Sequence, residues 1–334
     1  MWRKIQKSLA TVVPSLLLGL FLIVLVCYLN RWDSMTAVTL IPIWAWALFG
    51  MIACILSWVA FRGIPAVIVF SIWLLTGIGF SEESHGLFHE LVQFLDPKAP
   101  LPEETSLRVI HVHANGSEDA LRNAIDLEPD LLFVQMPPPD EFDTDLSNEA
   151  FEVDSATFIA DELAILGRGE LLATLEEEHG QAIHARIRIQ DELILDLTCL
   201  RLEPSFPSPY LWRPSVWKDL TKRRIANRRL LRQSLGENQI VRPSTGRIVA
   251  GGFNTPARDD VFRPLDSNAR TDAFAASGSG WGNTYPASSP ALRSDQIWSS
   301  PNLIPYRTTP RRIPDSNHRL VIADFEIPQR EEAN

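Results

Sequence analysis

The hydrophobic rhythm of the chain changes near residue 80. Before that point three apolar stretches follow one another closely: SLATVVPSLLLGLFLIVLVCYLN (8–30), MTAVTLIPIWAWALFGMIACILSWVAF (35–61) and GIPAVIVFSIWLLTGIGF (63–80). Each is close to the roughly 20 apolar residues that span a bilayer. The pattern therefore predicts three transmembrane helices in an anchor covering 1–80. No small-x-small cleavage site follows the first stretch, and two more stretches come after it, which argues against a cleaved leader. Beyond residue 80 the apolar runs shorten and their period alternates. Strands are predicted at 107–113, 130–136, 156–160, 163–168, 184–190, 193–202, 247–252, 294–300 and 319–327. Helices are predicted at 117–128, where Ser117 stands at the N-cap, and at about 214–235.

These periods divide the chain further. Residues 81–106 read as a juxtamembrane stem, a short helix ended by Pro97 and followed by a linker. Residues 107–327 read as one α/β domain, with a long acidic loop at 137–155, and 328–334 as a tail. Strands and helices flanking a set of hairpin-like strands argue for two packed sheets with helices outside.

Charge gives the anchor a direction. Residues 1–80 contain Asp33 as their one acid, against Arg3, Lys4, Lys7, Arg31 and Arg62. Basic residues favour the cytoplasmic side, so the N-terminus is expected in the cytoplasm and residues 81–334 on the extracytoplasmic side. The rest of the chain carries the acid excess behind the net charge of −10. That balance disfavours nucleic acid as the main partner. A basic run, WKDLTKRRIANRRLLR (217–232), holds seven Lys or Arg. It reads either as a phosphate-facing patch or as a solvated helix face with Leu220, Ile225, Leu230 and Leu231 turned inward. Cys199 is the one cysteine outside the anchor, so no internal disulfide forms there.

Several predicted strands end or begin in polar groups: VHAN (112–115), VQM (134–136), GGFN (251–254), RSDQIW (293–298) and SNHR (316–319). With GWGNTYP (280–286), their order and spacing resemble the endonuclease/exonuclease/phosphatase superfamily over about 107–327. The resemblance implies a two-sheet α/β sandwich of that type, preceded by the three transmembrane helices. It also implies phosphoric ester hydrolysis with bound Mg2+ or Mn2+. Asn254, Asp295 and His318 stand at retained family positions. The others are substituted. His113 stands for an Asn, with Asn115 two residues on. Met136 stands for the metal-binding Glu, and Cys199 for a His. Gly252 stands for the Asp that orients the attacking water, and Asn317 for the Asp beside the last His.

A thioether is a poor ligand for a hard cation, and glycine has no group to act as a base. The expectation is therefore a membrane-anchored family member with impaired or lost hydrolysis and a binding role. A phosphate-ester or phospholipid-type ligand suits such a pocket. Two alternatives stay open. One is an active phosphodiesterase or phosphatase with a rearranged site, in which Asp130, Asp259 or Asp260 replaces the missing acid. The other is a soft-metal site for Cu or Zn made of His113, Met136, Cys199 and His318.

Overall fold

The structure is a computed structural model that describes residues 2–97, 99, 101–102, 105–138, 151, 155–177, 180–190, 193–206, 208, 210–211, 213–236 and 244–327. The centre of the acidic loop (139–150 and 152–154), parts of the linker (98, 100, 103–104) and the 328–334 tail lie outside the described residues. The chain divides into two compact units.

The first unit comprises Met1–His85, Ser205–Ile225 and Pro256–Asp260. Its helices are α1 (Trp2–Asn30), a single turn α2 (Thr36–Thr39), α3 (Ile43–Phe61) and α4 (Ile64–Phe80). The second apolar stretch is therefore not one helix from residue 35. Pro42 caps α3 from outside, because a proline disfavours helix in the residue before it. Ile5–Asn30 and Ile43–Phe61 are long and apolar enough to cross a membrane, with mean hydropathies of 2.7 and 2.0. The 17-residue α4 joins them only together with α5 (Glu82–Leu95), from which it is bent by 65°. Val24, Ala47, Cys54, Val69 and Trp73 form the core of this bundle. Gly50 lets α3 approach closely, since a Cβ there would enter the Trp73 ring. Phe21 meets that ring edge-on at 5.0 Å.

Two outer segments complete this unit. The longest described helix after residue 200, α7, runs Pro214–Gly236. Its Arg224 is fully buried and ion-paired with Asp259 at 2.5 Å. The same guanidinium donates to the Trp32 carbonyl at 3.3 Å and to Thr39 Oγ1. Thr221 Oγ1 donates to the Asp33 carbonyl at 2.8 Å. Arg258 reaches Glu82 and the Phe80 carbonyl, each at 3.0 Å. Of the helix residues expected to face inward, Leu220 and Leu231 are buried, and Ile225 and Leu230 are half-buried.

The second unit holds both sheets. The first sheet has the order β11-β12-β1-β2-β4-β3, with β1 Ser106–His113, β2 Leu131–Gln135, β3 Ser155–Ala160, β4 Leu163–Arg168, β11 Ile304–Arg311 and β12 Leu320–Glu326. The second has the order β5-β6-β7-β8-β10-β9, with β5 Glu170–Glu176, β6 Ala182–Gln190, β7 Leu193–Arg201, β8 Gly246–Gly252, β9 Thr271–Asp272 and β10 Asp295–Ser299. The β1–β2 and β7–β8 pairs are parallel and the other described pairs antiparallel. Leu107, Val109, Phe133, Ile165, Ile187, Leu197, Ala250, Ile297 and Phe325 interdigitate between the sheets. Helix α6 (Glu118–Ile125) packs Ala120, Leu121 and Ala124 on the other face of the first sheet, against Ile110, Val112, Leu132 and Val134. The far end of α7 does the same for the second sheet through Leu231 and Leu235. The result is an α/β sandwich of two mixed sheets, as expected. Edge strands β5, β9 and β11 were not predicted.

Candidate functional site

Strand alternation builds the site. Successive side chains point to opposite faces, so residues two apart share one. Along β1, Leu107 and Val109 enter the inter-sheet core, and His111 and His113 continue that row. Along β2 the row is Leu131, Phe133 and Gln135; along β8 it is Ile248, Ala250 and Gly252. On β10 Asp295 precedes Ile297. One end of the inter-sheet layer therefore turns from apolar to polar.

Asp295 and His318 form its centre. His318 Nδ1 donates to Asp295 Oδ2 at 2.7 Å, which fixes the tautomer of the ring. The same oxygen accepts from Thr284 Oγ1 at 2.6 Å and Ser294 Oγ at 2.7 Å. Burial alone would raise the Asp295 carboxyl. His318, His111 and the Thr284 hydroxyl outweigh it and hold the carboxyl well below the usual range. The neighbouring Arg293 turns away and binds Asp272 through both terminal nitrogens. His113 stacks on His318 with ring centroids 4.4 Å apart and 10° between planes. Burial, then the neighbouring His318, lowers His113 to about 4. Ser316 Oγ donates to the His113 carbonyl at 2.7 Å and accepts from His318 N at 3.1 Å, tying the last loop to β1.

Two residues of this layer escaped the sequence reading. His111 is fully buried, neither ring nitrogen has a hydrogen-bond partner among the described residues, and its Nδ1 lies 3.8 Å from Asp295 Oδ1. Burial lowers it to about 4, and the Asp295 charge only partly offsets this. Gln135 is 1% exposed and donates from Nε2 to the Leu200 carbonyl at 2.7 Å. A Cβ built on Gly252 would stand 2.5 Å from Gln135 Oε1. The carboxamide thus fills the space a side chain at 252 would need. The period-two rows 107-109-111-113 and 131-133-135 were the signal that could have found both.

The remaining expected residues separate. Asn254 is buried in a left-handed turn (φ 50°), and its Nδ2 donates to the Leu202 carbonyl at 2.8 Å, so it shapes the loop after β8. Met136 follows the end of β2 at φ 48° and is half-buried. Asn115 is exposed in a turn at φ 54°, and Asn317 is exposed. Neither is positioned to replace a buried polar group. Asp130 opens β2 at the end opposite Gln135, where Oδ2 accepts from Arg108 N at 2.7 Å. Asp259 is held by Arg224.

Neither expected metal set is assembled. Mg2+ or Mn2+ requires carboxylate and carbonyl oxygens. The family positions offer a thioether at 136, no side chain at 252, and the Asp295 carboxylate with one oxygen already accepting three hydrogen bonds. The residues present do not fit such an ion. The Cu or Zn set of His113, Met136, Cys199 and His318 is corrected as well. Cys199 is enclosed in the inter-sheet core with Sγ 3.8 Å from the Val134 carbonyl, and burial raises its thiol, disfavouring the thiolate that binds metal. Among the described residues no group of three or more His, Cys, Asp or Glu is placed to hold a metal ion.

Comparison with known proteins adds three kinds of finding. No curated protein matches the chain. Among solved structures it is similar to an endonuclease/exonuclease/phosphatase family protein from Leptotrichia buccalis C-1013-b, at 12% identity and TM-score 0.47, covering 66% of this chain and 100% of that one. It is also similar to truncated Caenorhabditis elegans TDP2 (17%, TM-score 0.46, 66% and 98%) and to the human Nocturnin catalytic domain with bound sulfate (18%, TM-score 0.46, 67% and 94%). The model of the Endonuclease/Exonuclease/phosphatase family matches residues 168–318, which span β5 to β11 and end on His318. The segment from Arg168 to His318 is therefore the part of the chain that matches the endonuclease/exonuclease/phosphatase family.

Proposed function

We propose that this protein is a membrane-anchored member of that family whose pocket has lost metal-dependent hydrolysis and serves in binding. One observation carries the reading. The place of the water-orienting Asp is Gly252, and the carboxamide of Gln135 occupies the space beside it. An amide neither deprotonates water nor supplies the charge that a hard cation needs. General-base action alone is worth about 10²–10⁴-fold in rate, so losing both functions removes most of the catalytic advantage. A phosphate-ester or phospholipid-type ligand, met outside the membrane, suits what is left. Nucleic acid is not favoured.

Anchoring by three crossings has support inside the first unit. Gln6 Nε2 reaches the Ala60 carbonyl at 3.4 Å, pairing the start of α1 with the end of α3. The link after α1 and the end of α4 both contact the outer segments, through Thr221 and Arg258. With Arg3, Lys4 and Lys7 cytoplasmic, the domain is extracytoplasmic.

The intact Asp295–His318 pair favours the second reading, an active hydrolase with a rearranged site. One assay separates the two. Full-length protein in nanodiscs is incubated with Mg2+ or Mn2+ and bis-p-nitrophenyl phosphate. The expected rate equals that of the Asp295→Ala and His318→Ala variants. Turnover that either substitution abolishes would overturn the proposal.

A further inference from the structure

We infer that α5 is a membrane-surface helix, with its apolar face in the lipid interface and its other face holding the segment that leads to Thr284. At 100° per residue, Leu87, Phe88, Leu91, Val92, Phe94 and Leu95 share one broad face of α5. All six are exposed, Phe88 at 62%, Phe94 at 81% and Leu95 at 73%. The opposite face is engaged. Gly86 accepts from Gly280 N through its carbonyl at 3.0 Å, and a Cβ at 86 would collide with the Gly280 carbonyl oxygen. His89 Nδ1 lies 3.2 Å from the Gly278 carbonyl. Residues 278–280 run directly into 281–284, whose Thr284 bonds Asp295.

The occupant follows from continuity. Ser81 alone separates α5 from α4, and the last turns of α4 carry the exposed Leu75, Ile78 and Phe80. The 17 residues of α4 alone suffice for a short span, and after a 65° bend a helix with one apolar face leaves its end, which is where the hydrocarbon boundary lies. The helix contains Glu82, Glu83 and Glu90 and no Lys or Arg. Its attachment is therefore apolar, indifferent to anionic lipid and to salt.

This rests on the anchoring reading above, and the test separates the two. Full-length chain in zwitterionic nanodiscs carries a fluorophore on Phe88→Cys, Leu91→Cys, Leu95→Cys, Gln93→Cys or Ile52→Cys; the three native cysteines are buried. Nanodisc lipids carry a nitroxide either near the ester carbonyls or near the chain ends. The shallow nitroxide should reduce fluorescence at 88, 91 and 95 but not at 93, equally at low and high salt and with or without anionic lipid. Quenching at Ile52 with none at 88, 91 and 95 would overturn the inference alone, as would disulfide cross-linking of Leu91→Cys between two copies. Absence of quenching at Ile52 as well would overturn the anchoring itself. Wild-type chain with a photoactivatable diazirine lipid repeats the test without substitutions, lipid adducts being expected on 87–95.

Discussion

Three histidines and one aspartate share one end of the inter-sheet layer, and the protonation of His111, His113 and Asp295 is linked to folding. His111 and His113 are lowered to about 4, so between about pH 4 and 6.5 the unfolded chain binds more protons there than the folded one. Folding stability is then complete above about 6.5 and declines as pH falls towards 4. Asp295 acts in the same direction lower down, its contribution being lost as pH falls below the ordinary carboxylate range. For His111 alone the effect is on the order of 3 kcal/mol. Thermal melts of the full chain in detergent should show Tm dropping between pH 7 and 4.5, and His111→Gln should flatten that slope. An unchanged slope would assign the pH dependence to other groups. At this scale the sequence exposed Asn254, Asp295 and His318, because polar residues at strand ends stand out against apolar runs. It hid His111, which stands between apolar neighbours in β1, and Gln135, which ends β2 but lies inside the longer apolar run predicted as a strand.

Elements with strong local signals formed where the pattern placed them. Ser117 caps α6, its Oγ accepting from Ala120 N at 3.2 Å. Ser117→Ala should cost about 1 kcal/mol, read as a small drop in the urea midpoint with the denaturant slope unchanged. A larger loss would mean that Ser117 supports more than the cap. Edge strands gave the weakest signal. β11 contains Pro305 and Pro310, which argue against a central strand, but proline is tolerated where one side of the ladder has no partner. β5, also at an edge, is exposed or half-buried throughout and shows no apolar alternation. The basic run in α7 illustrates the opposite limit. Six of its seven cations read correctly as polar surface or half-exposed positions, while Arg224 is buried by a carboxylate 35 residues away that no local pattern reveals.

Within the first unit the segments 205–225 and 256–260 join the apolar helices in one compact body, and the Arg224–Asp259 pair is its most buried charged contact among the described residues. Removing one partner of such a pair leaves an uncompensated charge and costs about 3–5 kcal/mol, whereas an apolar pair of similar size is often neutral. Arg224→Ala should therefore speed amide exchange across 31–42 and lower Tm, and Arg224→Met with Asp259→Leu should recover most of the loss. Failure of the double variant to recover would shift the weight to the Trp32 and Thr39 contacts. The long apolar helices of this unit were legible from composition. The unit's extension to 205–225 and 256–260 was not, since it depends on pairing between segments far apart in the chain.

The fit of Gln135 against Gly252 also limits what position 252 can carry. Placing an aspartate at position 252 by a single substitution would displace the carboxamide from the Leu200 carbonyl and leave a buried amide unsatisfied, a cost of about 1–3 kcal/mol. Met136 would still supply no oxygen to a cation. A carboxylate at 252 is thus penalised by packing before it can serve any chemistry. Packing by the Gln135 carboxamide selects glycine at position 252, whatever chemistry the neighbouring residues perform.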